Sequence, residues 1–545
     1  MLTIQQAQRL LRTGAISSEQ LVLFCVTRAA TISDAWERRI DTHTLLEQAR
    51  QSDFRRAQNK LLSPLDGIPF SVKANLAVAS LPLTAGSAIL ETNACVGYHA
   101  QVVDALLQSG AVLMGTTTMD EFGMGSLGIN RPKSKTTTSR TKNPISGWHR
   151  HTKRFSDEEM IKMILHSPET INTRLQQDDE SNVIFYSPGG SSSGSAVTVA
   201  QQAALFSLGS DTGGSVRLPA AWCAVAGLKP TYGCLSRDGL VAYASSLDTV
   251  GILAPTVSCL SVVWRELLQQ QLRQPRQDST LRPFQHNSIQ TYSSASTRQK
   301  LLERVKVAVP TAFVIKEMSQ PVRDNWKNAA RRLEEMGATV DVIDTISPQV
   351  LQQALAAYYV LACAEATSNL GRYDGFRYGS TADCDRTNAV RDIDQPQSKF
   401  SLLEQQYAQT RTRGFGSEVI RRILCGTSVL SSDHYHTHYE AAAKLRAVLA
   451  QQMRDVLEQY DLLLVPTTFN MPPRIDEANS IDSTAMMAND IMTVPASLGG
   501  FPALSIPYGH WERAPFAMSM QLVAAQQDEQ KLFRVAEALQ DYAVD

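Results

Sequence analysis

A chain of 545 residues with 43% hydrophobic and 19% charged side chains has the composition of a folded enzyme with a large core, which excludes a disordered or fibrous chain. Its formal net charge of -1 excludes a strong overall field for polyanions. Any nucleic-acid contact therefore needs a local patch or a partner protein.

In chain order, the opening MLTIQQAQRLLRTGAISS carries two arginines and no acid before Glu19, the bias of a mitochondrial transit peptide. Against that, Thr3 can cap a helix whose Ile4, Ala7, Leu10 and Leu11 share one face, Gly14 can end it, and Ser17 with Gln20 forms a capping box. The segment is expected to begin the fold rather than to serve as a cleaved address. From about residue 65, short apolar β-type runs alternate with helical patterns: IPFSVKAN, HAQVVDALLQSG, AVLMGTT, then VKVAVP, a helix around Trp326 to Met336, and ATVDVID. DLLLVP, ALSIPYG, MSMQLVAA and a helix near Leu532 to Tyr542 continue the pattern. The alternation predicts an α/β sheet covered by helices on both faces. No internal repeat and no clean linker interrupts it, so residues 1–545 are expected to form a single domain.

Residues 145–185, 270–300 and 380–398 are polar, lack the apolar periodicity needed to bury a face, and are expected to be surface insertions. The eight cysteines are scattered, without a CxxC pair or zinc-type spacing, and are read as reduced, mostly buried thiols. No apolar run is long enough to cross a bilayer, and no membrane contact is expected.

Two Gly/Ser-rich segments carry the chemistry: PGGSSSGSA (Pro188 to Ala196), which runs into a helical pattern, and SDTGGSVRLPAAWCAVAGLKPTYG (Ser210 to Gly233). In DTGGS, two glycines before a serine permit a tight turn, and the N–H groups of Thr212, Gly213, Gly214 and Ser215 can point at one spot. An oxyanion hole requires such donors, each worth about 3 kcal/mol where negative charge develops. No histidine stands near these loops in a triad motif such as GxSxG. Lys73, at the end of IPFSV, can serve as the base instead, because a desolvated lysine loses its proton near neutral pH although its ordinary value is about 10.4. A second serine can carry the proton between them. GGSSSG before a helix also fits a phosphate-binding loop, although no GK(S/T) follows. A Gly-Gly-Ser turn and a lysine after a strand each have a purely structural alternative.

Together, at these spacings, the segments closely resemble the amidase signature family, whose triad is a lysine, a bridging serine on a cis peptide and a nucleophilic serine. The separation of Ser191 from Ser215 equals the family's, which selects Ser191 among its neighbours. The resemblance implies Lys73 as base, Ser191 as relay and Ser215 as nucleophile, with Thr212, Gly213 and Gly214 in the oxyanion loop. It also implies a single large mixed β-sheet covered by helices on both faces, and no metal.

Five further blocks narrow the likeness to the A-subunit branch of glutamyl-tRNA(Gln) amidotransferases: Met119 to Ser126, Gly227 to Leu253, Arg372 to Gly379, Gly414 to Thr427 and Asn489 to Pro507. That branch hydrolyses glutamine to supply ammonia. The matching positions are Arg422 for the substrate α-carboxylate, Asp490 for its α-amino group and Tyr358 as a polar wall, since a free amino acid offers one charge of each sign. No cofactor is implied in this chain. The resemblance implies a heterotrimer, in which ATP and Mg would serve a partner B subunit that also carries the tRNA, while a small C subunit clamps the other two together. The long stretch between Pro144 and Pro188 resembles eukaryotic organellar versions, which implies a mitochondrial protein, with the cytoplasm as the alternative.

The sequence departs from the family in three places: Ser193 stands where a glycine is usual, Ala74 where an aspartate follows the lysine, and LGIN after MGS where an STEN-like stretch is usual. His434, His436 and His438 are spaced for a metal or for an ordinary helix surface. The competing functions are a stand-alone amidase acting on acyl amides and a catalytically silent assembly subunit.

Overall fold

The computed structural model describes residues 1–91, 95–131, 156–165, 185–273, 277–283, 302–380, 400–478, 483–511 and 516–542. Its frame is one mixed sheet of eleven strands: β1 (Trp36–Arg39), β2 (Pro69–Lys73), β3 (Val112–Thr117), β4 (Phe206–Asp211), β5 (Ala226–Lys229), β6 (Thr249–Ala254), β7 (Lys306–Pro310), β8 (Thr339–Ile343), β9 (Leu462–Pro466), β10 (Ala503–His510) and β11 (Ala517–Ala524). They lie in the order β1-β3-β2-β4-β6-β5-β10-β11-β9-β7-β8. β2 pairs in parallel with β3 and β4, and β7 with β8 and β9, whereas the centre of the sheet is antiparallel. This is the mixed α/β architecture that the family resemblance implied.

Every strand-type run named from the sequence forms a strand. β2, β3, β4, β6 and β9 are buried along their whole length, as strands covered on both faces must be. Phe70 and Phe206 stack across β2 and β4 with ring centroids 5.3 Å apart. The edge strand β8 differs, with Val342 72% exposed.

The N-terminal helix Ile4–Arg12 is capped by the Thr3 side chain and buries Ile4, Ala7, Leu10 and Leu11. Gly14 follows with φ of 69°, and the next helix, Ser18–Ala30, opens with the Ser17/Gln20 capping box. The segment is thus packed into the core. No described helix is long and apolar enough to cross a membrane. The seven described cysteines are free, five of them buried.

Of the third insertion, 380–398, all but residue 380 lies outside the described residues, as does most of the first. Within the first, Asp157–Leu165 is a helix that buries Met160 and Ile164. The expectation that this region buries no face is therefore corrected: one i, i+4 apolar pair suffices for a short helix, and Asp157 ties it to Arg9 at 2.6 Å. In the second, Asp278 accepts the Arg237 N–H at 2.9 Å, and Arg282 reaches Gln526 at 2.8 Å.

β2 and β4 matter most for the site. They run in parallel with Phe70 opposite Phe206 and Val72 opposite Leu208. Lys73 and Asp211, the last residues of the two strands, therefore emerge at the same carboxyl-end edge, where open α/β sheets place their ligands.

Candidate active site

Lys73 has no exposed surface, and its Nζ lies 2.7 Å from Ser191 Oγ, 2.9 Å from Ser210 Oγ and 3.3 Å from Ser210 O. Burial pushes the ammonium down to about 7, while the carboxylates of Asp120, Asp211 and Asp248 pull the other way. Asn75 donates to the same Ser210 hydroxyl at 2.9 Å. The lysine thus stands among neutral oxygens, with no ion partner in direct contact among the described residues to fix its charge.

Ser191 sits in the turn before the helix Ser193–Ala200. The Gly190–Ser191 peptide is cis, as the family resemblance implied. Close approach explains the neighbouring glycine, since a Cβ on Gly190 would overlap Asp120 Oδ2. The turn is bound to the next loop by the Ser192 N–H donating to Ser215 O at 3.1 Å. Of the departures from the family pattern, Ser193 opens the helix with its hydroxyl 3.5 Å from Thr118 O, and Ala74 is buried with its N–H on Thr117 O at 3.1 Å. Asn130 of LGIN donates its N–H to Asp120 at 2.8 Å.

The loop Thr212 to Ser215 follows β4 directly. A Cβ on Gly213 would meet the Tyr358 ring at 2.6 Å, and one on Gly214, at φ of 156°, would overlap Thr493 Oγ1. The two glycines are therefore required by packing as well as by turning. Thr493 donates to Gly213 O at 2.6 Å, which fixes the loop from the far side. Among the described residues, nothing accepts from the N–H groups of Gly213, Gly214 and Ser215. Buried backbone donors are seldom left open, so three in succession beside a serine form a ready anion site.

The clamp behind this loop was not singled out from the sequence. Asp211 and Arg217, both fully buried, form a two-point ion pair, with Nε to Oδ2 at 3.0 Å and Nη2 to Oδ1 at 2.9 Å. Arg217 also donates to Thr493 O at 2.8 Å, Gln521 Oε1 at 2.7 Å and Ser497 Oγ at 2.8 Å. Burial pushes the Asp211 carboxyl up, but the Arg217 charge and hydrogen bonds outweigh it and hold it below its ordinary value. Opposite charges flanking a Gly-Gly-Ser turn were the available signal.

Arg422, Asp490 and Tyr358 converge on the other side of the loop. Tyr358, on the helix Pro348–Asn369, lies with its hydroxyl 3.1 Å from Thr212 Oγ1. Arg422 is buried on the helix Ser417–Val429, with Nε to Glu418 at 2.8 Å and Nη1 to the Tyr243 hydroxyl at 2.6 Å, and its guanidinium covers the Tyr359 ring at 5.1 Å. The adjacent Arg421 is half-exposed on the same Glu418. Asp490 accepts from Ser126 Oγ and from the Tyr359 hydroxyl, each at 2.8 Å. Burial raises its carboxyl to about 6, against the pull of those donors and of Arg422. All nine residues singled out from the sequence therefore meet in one region. Ser126, Tyr243, Tyr359 and Glu418 complete it and were given no role from the sequence, although all four lie in or beside segments already noted.

Among the described residues, no group of three or more His, Cys, Asp or Glu side chains is placed to hold a metal. His434 and His438 stack edge to face at 5.2 Å, and His436 pairs with Glu440 at 2.8 Å beside an exposed five-residue π-turn.

A family model described as Amidase matches residues 20–148 and 168–533, and the gap falls inside the first insertion. The chain is 35% identical to the A subunit of the glutamyl-tRNA(Gln) amidotransferase of Desulfotalea psychrophila, over 98% of this chain and 96% of that one. It is 34% identical to the mitochondrial A subunit of the same enzyme from Coccidioides posadasii, over 91% and 92% of the two chains. The crystal structure of the glutamyl-tRNA(Gln) amidotransferase A subunit from Thermotoga maritima superposes with a TM-score of 0.68 at 27% identity, covering 99% of this chain and 94% of that one.

Proposed function

This chain belongs to the amidase family, and from that premise we propose that it is the glutamine-hydrolysing component of a glutamyl-tRNA(Gln) amidotransferase, with Lys73, Ser191 and Ser215 as its triad. The observation that carries the proposal is the 2.7 Å contact between a buried lysine, neutral above about pH 7, and Ser191. Neutral Lys73 takes a proton through Ser191 as Ser215 Oγ attacks the side-chain carboxamide carbon of glutamine. The oxyanion is received in the turn that runs from Thr212 through Gly213 and Gly214, by the open N–H groups of Gly213, Gly214 and Ser215. The C–N bond then breaks, the leaving nitrogen is protonated by the returning relay, ammonia departs, and a γ-glutamyl ester remains. Water, deprotonated along the same path, hydrolyses the ester to glutamate.

Glutamine is held by its free ends. Glu418 occupies Arg422 Nε and the Tyr243 hydroxyl takes a hydrogen from Nη1, so Nη2 is the group left to face the substrate α-carboxylate. Asp490, already bonded to Ser126 and Tyr359, accepts from the ammonium, whose charge offsets the cost of burying the carboxylate. Tyr358 closes the wall between this pocket and the oxyanion turn. The chain itself uses no cofactor. ATP and Mg act in a partner B subunit that carries the tRNA, and a C subunit holds the heterotrimer together. Relatives named as A subunits, some of them mitochondrial, support this assembly and a mitochondrial location.

The test is ammonia release from glutamine by the full chain, with and without co-expressed candidate B and C subunits. Release that requires Ser215 and rises with the partners is expected. Ser215-dependent hydrolysis of simple acyl amides without action on glutamine would identify a stand-alone amidase instead, and no hydrolysis of either would identify a silent assembly component.

A further inference from the structure

The block Met119 to Ser126 holds two adjacent buried carboxylates that bond to different parts of the chain. Asp120 belongs to the relay side: its N–H donates to Ser191 O at 3.2 Å, and its carboxylate accepts from Gly128 N at 3.1 Å and Asn130 N at 2.8 Å. Glu121 belongs to the pocket side. Its carboxylate accepts from the Ser87 hydroxyl and, at 2.8 Å, from the N–H of Gly416. Burial pushes it up to about 7 while these two donors pull it down.

Gly416 is the N-cap of the helix Ser417–Val429, which carries Glu418 and Arg422. That helix has no capping side chain of its own, and its third residue is Val419 rather than the Glu or Gln of a capping box. Glu121 supplies from elsewhere in the fold the carboxylate that a capping box would provide, at the end where the helix dipole favours negative charge. The fit leaves no room for another residue at the cap, since a Cβ on Gly416 would overlap Glu121 Oε2. The turn is held rigidly from its other side. Phe122 takes a left-handed φ of 50° and packs against Tyr373 at 5.1 Å and Phe415 at 5.7 Å. The Asp120–Glu121 dipeptide therefore joins the loop of the relay serine to the start of the Arg422 helix.

Resting on the proposed role of Arg422 toward the substrate α-carboxylate, we infer that Glu121 is a positioning residue for substrate selection. It holds the helix Ser417–Val429 by its cap, so that Arg422 faces the pocket at a fixed distance from the Ser191 and Ser215 loops. Its contribution is specific to substrates that carry an α-carboxylate.

The experiment compares wild type, Glu121→Leu, which has no acceptor for the Gly416 N–H, Arg422→Ala and the double variant of the full chain, on glutamine and on hexanamide, which lacks the α-carboxylate. Glu121→Leu raises KM for glutamine by about tenfold, with kcat within about threefold, and lowers the preference for glutamine over hexanamide by the same factor. The double variant is no worse on glutamine than Arg422→Ala. An effect of Arg422→Ala without one of Glu121→Leu overturns the inference, as does an equal loss on both substrates, and either leaves the role of Arg422 standing. Indifference of glutamine KM to Arg422→Ala removes that role and the inference with it. If Glu121→Leu does not fold, Ser87→Ala takes its place. That variant keeps the carboxylate and removes one of its donors, so a two- to threefold rise in KM is expected, and no rise overturns the inference.

Discussion

Replacing Lys73 by Met lowers ammonia release from glutamine at pH 8 by about a thousandfold, the scale of a lost general base acting through a relay. The same change raises stability near pH 7 by on the order of 1 kcal/mol or more, because burying a lysine is costly. The sign follows from linkage. Lys73 falls from 10.5 to about 7 on folding, so between those values the unfolded chain binds the extra proton and folding weakens as pH falls. Methionine removes that penalty. In the wild type, log kcat/KM falls with unit slope as pH drops below about 7, where Lys73 becomes protonated. Asp120 and Asp490, at about 6, and Glu121, Lys229 and Asp248, at about 7, titrate nearby. The Lys73→Met variant separates them: the part of the pH dependence it abolishes belongs to Lys73. Thermal melts and pH-rate profiles of the two proteins check both halves. A variant that loses stability and activity together contradicts the assignment.

The second large effect concerns stability. Arg217→Met leaves Asp211 charged and fully buried with its two-point partner gone, a loss of about 3–5 kcal/mol. It also frees Thr493 O, Ser497 and Gln521, which Arg217 ties to the loop from Thr212 to Ser215. Adding Asp211→Asn removes the stranded charge, so the double variant recovers at least about half of the lost stability. Its activity stays low, because neither side chain then holds the turn from Thr212 to Ser215. Denaturant titration of the two variants checks this. A double variant no more stable than Arg217→Met means that the ion pair is not what the loop depends on.

Much of the fold and of the site is legible in the sequence, for identifiable reasons. Strands buried on both faces leave continuous apolar runs, so β2, β3, β9 and β10 can be placed. Tight turns that bring backbone close to a ligand favour glycine and serine, so the segments holding Gly190, Ser191, Gly213 and Ser215 stand out by residue type, while the choice of Ser191 among its neighbouring serines required the family resemblance. β4 escapes notice because Phe206 to Asp211 carries Ser207, Gly209 and Ser210, residue types that suggest a turn. There the parallel neighbours supply what propensity lacks, and Ser207 gains a partner in Ser71 at 2.9 Å. The distant contacts of Arg217 and Glu121 are invisible for a different reason. Each acts on groups far away in sequence, at Thr493 and Gly416, and no spacing rule encodes contacts of that kind. Arg422 required the resemblance, since a helical arginine beside Arg421 carries no mark of burial in its own sequence.

The most direct test of the central claim is mass spectrometry of the full chain quenched in acid during turnover of glutamine, beside ammonia release by the Ser215→Ala variant. The account predicts one added glutamyl group on the peptide that contains Ser215, and loss of both the adduct and ammonia release in Ser215→Ala. A glutamyl adduct that maps to another residue, or ammonia release that persists without Ser215, would contradict it.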